Sequence, residues 1–251
     1  MTSPMTGPVT GQSKTIETPE ARVGRLNAEL RGASAQDVIR AAVREFGRSI
    51  TYVSSFGAES AAMLGLIAEV DPGMPIVFID TGMHFQQTLQ YRDAVRDFLR
   101  LSDIRTAHPV TEEVKAIDPK GVLNKTDPDA CCEVRKVRPL EPALEGFTAW
   151  ITGRKRFHGG GRASLPVVEF SEGRFKINPL ADWTHEHVEA YFGERNLPRH
   201  PLVAEGYPSI GCWPCTVRPE DPNDIRSGRW VGREKTECGL HLERKDRPRV
   251  F

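Results

Sequence analysis

The chain has 251 residues, 39% of them hydrophobic, and sets 34 Lys and Arg against 34 Asp and Glu, which is enough for one large α/β domain, or a domain with a tail, around an ordinary core. Formal neutrality argues against a generalised nucleic-acid binder and makes the local placement of charge the informative quantity. No stretch approaches the apolar length that crosses a bilayer, and five unevenly spaced cysteines do not make a secreted disulfide framework, so the chain reads as cytoplasmic, with neither membrane nor nucleic acid as partner.

Residues 1–18, rich in Thr, Ser, Pro and Gly, read as a disordered tail. Ser34 to Asp37 has the form of a helix start, and Val38, Ile39, Ala42, Val43 and Phe46 then recur on one helical face. Ile50 to Val53 is a short buried strand, Ser54 to Ser60 a turn of small residues, and Ala61 to Val70 a helix with Leu64, Ile67 and Ala68 inward. Pro75 to Ile79 is a second strand ended by Asp80-Thr81-Gly82; a helix through Tyr91, Val95, Phe98 and Leu101 and a third strand at Ile104 to His108 follow. This alternation predicts an α/β fold with a doubly wound, mostly parallel sheet, in which ligands sit beyond the carboxyl ends of the strands. Ser54 to Ser60 and Asp80 to Gly82 both fall there.

Residues 129–145 read as helical despite Pro139 and Pro142, Ala149 to Thr152 as a fourth strand, and Val167 to Phe170 with Phe175 to Ile177 as edge strands. Thr184 to Arg195 opens with Thr-x-x-His in place of a full capping box. After Leu197 regular patterning fades into Pro, Gly, Cys, Arg and Trp. Two segments are locally basic, 133–162 and 226–249, the second with eight Lys or Arg against four acidic residues, and such clusters suit a small polyanion. The expected organisation is a tail over 1–18, an α/β domain over 19–231 and an irregular C-terminal segment over 232–251.

The cysteines divide into four and one. Cys131 and Cys132 are adjacent, 79 residues separate them from Cys212-Trp213-Pro214-Cys215, and Cys238 stands alone. A Cys-x-x-Cys pair lets two thiolates converge on one centre and the adjacent pair can supply two more, a donor set suited to zinc or to an iron-sulfur cluster. Adjacent cysteines reach one small zinc ion with difficulty, whereas a cubane offers each a separate iron.

Cys131 through Leu140 (Cys-Cys-Glu-Val-Arg-Lys-Val-Arg-Pro-Leu), Cys212-Trp213-Pro214-Cys215-Thr216 and Glu237-Cys238-Gly239-Leu240-His241 resemble the signature segments of the assimilatory adenylyl-sulfate reductases, over about residues 45–243. The resemblance implies a [4Fe-4S] cluster on Cys131, Cys132, Cys212 and Cys215, and Cys238 as catalytic nucleophile. It also implies adenosine 5′-phosphosulfate as substrate and thioredoxin as reductant. Reductases of the 3′-phosphorylated substrate keep the last segment but lack the four cluster cysteines.

Ser54-Ser55-Phe56-Gly57-Ala58-Glu59-Ser60 resembles the phosphate loop of the adenine nucleotide α-hydrolase-like fold, whose ATP pyrophosphatase members carry Ser-Gly-Gly-x-Asp-Ser. Phe56 stands in place of a glycine and Glu59 in place of the aspartate, which disfavours ATP cleavage while leaving a turn able to hold an anion through Ser54, Ser55, Phe56, Gly57 and Ser60. By motif, Lys136 matches the lysine linking cluster and substrate; Arg162, Arg226 and Arg229 match residues contacting the phosphosulfate, with Arg154 or Arg156 as alternatives to Arg162; His241 belongs to the last segment. Other readings are the 3′-phosphorylated substrate, an ATP pyrophosphatase that thiolates nucleic acid, and an iron-sulfur or zinc sensor, which leaves Cys238 without a purpose.

Overall fold

The structure, a computed structural model, describes residues 17–221, 224–233, 235, 237 and 239–241. Helix α1 (Pro19–Glu29) starts where Thr18 accepts a hydrogen bond from the Ala21 amide and Pro19 has no N–H to leave unpaired. Glu17 pairs with Arg25 at 2.9 Å. The tail expected over 1–18 is corrected at these two residues, which the cap and the ion pair tie to the helix; residues 1–16 lie outside the described residues.

Ser34 caps α2 (Ala35–Phe46), whose Val38, Ile39, Ala42 and Phe46 are buried. Strand β1 (Ile50–Ser54) leads through the small-residue turn into α3 (Ser60–Val70), buried at every position from Ala61 to Ile67 and therefore a core helix without a polar face. β2 (Ile76–Ile79), α4 (Gln86–Leu99) and β3 (Ile104–Ala107) follow. Then come three short helices, α5 (Thr111–Ile117), α6 (Leu123–Thr126) and α7 (Pro128–Cys132), a π turn (Glu133–Val137) and α8 (Arg138–Ala143). β4 (Ala149–Ile151), the hairpin β5 (Val168–Ser171) and β6 (Arg174–Ile177), α9 (His185–Glu194) and α10 (Pro201–Ala204) complete the regular elements.

The strands form one sheet in the order β3-β2-β1-β4-β6-β5, parallel throughout except for β5. Successive side chains alternate between two buried faces. Ile50, Tyr52, Ile76, Phe78, Ile151 and Ile177 pack with α2, α3 and α9, while Val77, Ile79 and Trp150 pack with Leu140, Leu144 and Phe147. Each large side chain so enclosed contributes about 1.5–3 kcal/mol. β1 leads to β2 on one side while β4 lies on the other, so the strand order reverses between β1 and β4, and a crevice opens there at the carboxyl ends.

Two expectations are corrected. Of the two strands read as edges only β5 is one; β6 is interior, because it pairs with β4 on one side and β5 on the other, and its Lys176 is buried over the Trp150 ring. Phe98 is 51% exposed, since the chain leaves α4 through a left-handed Arg100 (φ 54) and Leu101 returns to the core instead. Much of the segment expected over 232–251 lies outside the described residues. Of those described, Arg233 donates to the Asn124 carbonyl and Lys235 pairs with Asp129, both on the main body. Among the described residues no helix is long and apolar enough to cross a membrane.

Candidate active site

A cavity of about 220 Å³ occupies the crevice between β1 and β4. Ser54, Ser55, Gly57 and Ser60 line it from the loop that opens α3. Gly57 is required there, because a Cβ would lie 2.9 Å from the Ile210 carbonyl oxygen. Phe56, expected among the binding residues of this loop, is not among the residues that line the cavity. Its left-handed backbone (φ 47) turns the ring inward, where it is fully buried edge-on to Phe78 at 5.4 Å, and its amide donates to Ser54 Oγ at 3.2 Å. It plugs the floor of the loop.

The exit of β4 supplies cations from the opposite wall. Arg154 pairs with Glu169 and donates to Asn178 Oδ1 at 3.1 Å, whereas Arg156 turns away to Asp182 and the Leu165 carbonyl. Arg162 also lines the cavity, its guanidinium engaged in two parallel bonds to Glu237 at 2.5 and 2.8 Å. Lys155 donates to Glu59 at 2.8 Å, with His158 Nε2 3.4 Å from the same oxygen. Although burial works against its charge, the hydrogen bond from His158 and the Lys155 ammonium hold the Glu59 carboxyl down at about 2.

The third wall brings the two cysteine segments together. Asp127 caps α7 by accepting from the Asp129 and Ala130 amides. The π turn, closed by the Arg138 amide on the Glu133 carbonyl, absorbs Pro139 and lets Lys136 line the cavity while Cys131 and Cys132 stay buried. The Cys212–Cys215 turn closes through the Cys215 amide on the Cys212 carbonyl (3.0 Å) and is braced by Thr216 Oγ1 on the same oxygen. It docks on the exit of β2 through the His84–Cys212 bridge and the Trp213 amide on the Met83 carbonyl. Thr81 Oγ1 lies 3.3 Å from Cys212 Sγ.

None of these four cysteines is joined in a disulfide, and the Cys131 thiol is pushed up to about 12 by burial and by Cys132, Cys212 and Cys215, against Arg135. Cys131 therefore feels the other three. Arg135 donates to Thr81 O and Asp118, and its buried Nε has no partner among the described residues. Among the described residues no group of three or more His, Cys, Asp or Glu side chains forms a ready metal-ion site.

Arg226, Arg229, Glu237, Leu240 and His241 complete the wall. Arg229 donates to the Cys215 carbonyl, and its guanidinium lies over Gly211, where a Cβ would sit 2.2 Å from it. His241 stacks on Trp150 (5.5 Å, 10°), its buried Nδ1 without a partner among the described residues; burial and then Arg154, Arg162, Lys176 and Arg226 keep it neutral, well below the usual histidine range. Cys238 lies outside the described residues; Glu237 and Leu240 near it line the cavity. Sequence reasoning placed the Thr81 turn at the ligand end of the sheet but missed His84, Lys155 and His158 as lining residues. The signal for Lys155 was Glu59 itself, an acid in an anion-binding loop that needs a cation.

Residues 49–218 match the family model described as the phosphoadenosine phosphosulfate reductase domain. A protein of Chelativorans sp. (strain BNC1) named adenosine 5′-phosphosulfate reductase is 47% identical over 225 residues, covering 89% of each chain. The solved phosphoadenylyl-sulfate reductase of Candida auris, in a phosphate complex, superposes with a TM-score of 0.68 at 31% identity, over 81% of this chain and 100% of that one. Candida glabrata FMN adenylyltransferase superposes with a TM-score of 0.53 at 13% identity, over 84% of this chain and 70% of that one, a likeness of fold alone that accords with the adenine nucleotide α-hydrolase-like sheet expected from the sequence.

Proposed function

This chain belongs to the phosphoadenosine phosphosulfate reductase domain family, and we propose that it reduces adenosine 5′-phosphosulfate to sulfite and AMP, with Cys238 as nucleophile and thioredoxin as reductant. One observation carries the reading: the cavity gathers the serine loop, Lys136, Arg226, Arg229, Glu237, Leu240 and His241. The name of the Chelativorans relative supports the substrate.

The serine loop and the amino end of α3 take the nucleotide phosphate. Lys136, Arg226 and Arg229 face the phosphosulfate, and the neutral His241 Nδ1 offers it a hydrogen-bonding atom. The Cys238 thiolate attacks the sulfur, the bond from sulfur to the bridging oxygen breaks, and AMP leaves with that electron pair while the basic groups offset its growing charge. A thioredoxin thiolate then attacks Cys238 Sγ and expels sulfite. Its second thiol resolves the mixed disulfide, so two thiols supply both electrons. A cytoplasmic setting keeps these thiols reduced.

Cys131, Cys132, Cys212 and Cys215 are the residues that would hold a [4Fe-4S] cluster. The donor set fits: four cysteines from two segments, none in a disulfide, with an Arg135 Nε–H that has no partner among the described residues and with Arg135 acting on Cys131. When bound, the cluster supplies a fixed charge beside Lys136 and clamps both segments, with no redox change demanded of it.

Side-by-side turnover of adenosine 5′-phosphosulfate and its 3′-phosphorylated analogue, with thioredoxin and anaerobically purified protein, tests the assignment. We expect the unphosphorylated substrate to dominate kcat/KM in protein holding about four irons per chain. Preference for the 3′-phosphorylated substrate would assign the activity named for the Candida auris neighbour instead.

A further inference from the structure

A carboxylate at the lip of an anion-binding loop repels the ligand the loop holds. Glu59 is such a group: it immediately precedes α3 and lines the cavity with Ser55 and Ser60. A carboxylate beside a bound phosphate is also the ligand set with which Mg²⁺ bridges protein and substrate. Here the Lys155 ammonium sits 2.8 Å from Glu59 Oε2 and also donates to the Gly153 carbonyl at 3.3 Å. Its side chain is 3% exposed. It reaches from the exit of β4 to the exit of β1, across the crevice. His158 flanks the pair, 3.4 Å from Glu59 and 3.1 Å from Arg162.

We propose that Lys155 is a built-in counter-ion, a positioning residue that cancels Glu59 and lets the cavity bind a nucleotide phosphate without a divalent cation. The proposal rests on reading the cavity as a nucleotide-phosphate site. It requires Lys155 to act through Glu59 and not by touching the reacting atoms. Removing the lysine should therefore create a demand for Mg²⁺, and removing both charges should abolish that demand.

The test is AMP binding to the holoprotein by calorimetry, with and without Mg²⁺, alongside KM and kcat for adenosine 5′-phosphosulfate. Wild type should bind AMP equally in both buffers. Lys155→Met should bind AMP about tenfold or more weakly without Mg²⁺ and recover in part at millimolar Mg²⁺, with KM moving more than kcat. Lys155→Arg should stay near wild type. Lys155→Met/Glu59→Gln, which leaves no lone buried charge, should recover most of the affinity in either buffer and serves if the single variant does not fold. Unchanged AMP affinity in Lys155→Met, a loss that neither Mg²⁺ nor Glu59→Gln repairs, or Mg²⁺ dependence in the wild type would overturn the proposal. Wild type that binds AMP as stated yet fails to reduce adenosine 5′-phosphosulfate would remove the reductase reading and leave the counter-ion; sound turnover with an indifferent Lys155→Met would do the reverse.

Discussion

Lys136 leaves the π turn toward the cavity, while Cys131 and Cys132, one turn earlier, stay buried. In the proposed reading it serves two anions, the phosphosulfate and the cluster that Cys131, Cys132, Cys212 and Cys215 would hold. As the oxygen leaving with AMP gains charge, the cation becomes more valuable, so Lys136→Ala should lower kcat by roughly 10²–10³ and raise KM as well. An ordinary surface lysine would be worth only a few tenths of a kcal/mol. Near-normal turnover in a Lys136→Ala protein with full iron and an unchanged Tm would take the residue out of the reaction. Arg162 shows why motif matching alone is coarse at this scale. It lines the cavity, yet its fork is filled by Glu237, next in sequence to the proposed nucleophile.

Gly228 joins the two irregular segments of the site into one element. The Val217 amide donates to the Gly228 carbonyl, Thr216 bridges Arg229, and a Cβ on Gly228 would lie 2.2 Å from the Val217 carbonyl oxygen. Backbone cannot yield there as a side-chain tip can. Gly228→Ala should therefore part the strands, loosening Cys215 and Arg229 together: iron content should fall, KM should rise and Tm should drop. Full iron with a normal KM would show that the two segments are independent. The strands that position the site were legible because β1, β2 and β4 are apolar runs between turn residues. α1 and α5 were not, since Leu26 alone is buried in α1 and nothing in α5, so neither carries a core-facing period. The position of β6 was not legible, because its pairing with β4 joins segments distant in sequence, and its Lys176 is buried over Trp150. At α9 the glutamate expected in a capping box is replaced by His187, whose Nδ1 accepts from the Thr184 amide at 3.1 Å, so the box forms with an unusual member.

Across the molecule, 34 positive and 34 negative charges cancel, yet the cavity gathers Lys136, Arg154, Lys155, Arg162, Arg226 and Arg229 on its walls, with Glu59 and Glu237 among them. The uneven distribution is the physical basis for choosing a small polyanion as ligand. It arises from contacts distant in sequence, β1 with β4, β2 with the Cys212 turn, and the β4 exit with Glu237. The cysteine spacing is visible in the sequence, but the docking of the Cys212 turn at His84 and Met83 is announced by no local pattern. The central claim is that Cys238 takes the sulfonate. Its most direct test is the intact mass of anaerobic protein incubated with adenosine 5′-phosphosulfate and no thioredoxin, followed by peptide mapping. We predict one SO₃ group per chain on the peptide carrying Cys238, matched by one AMP released, and neither in Cys238→Ser protein that keeps its iron; sulfite formation by that variant at the wild-type rate, or an unmodified wild-type chain that turns over once thioredoxin is added, would contradict it.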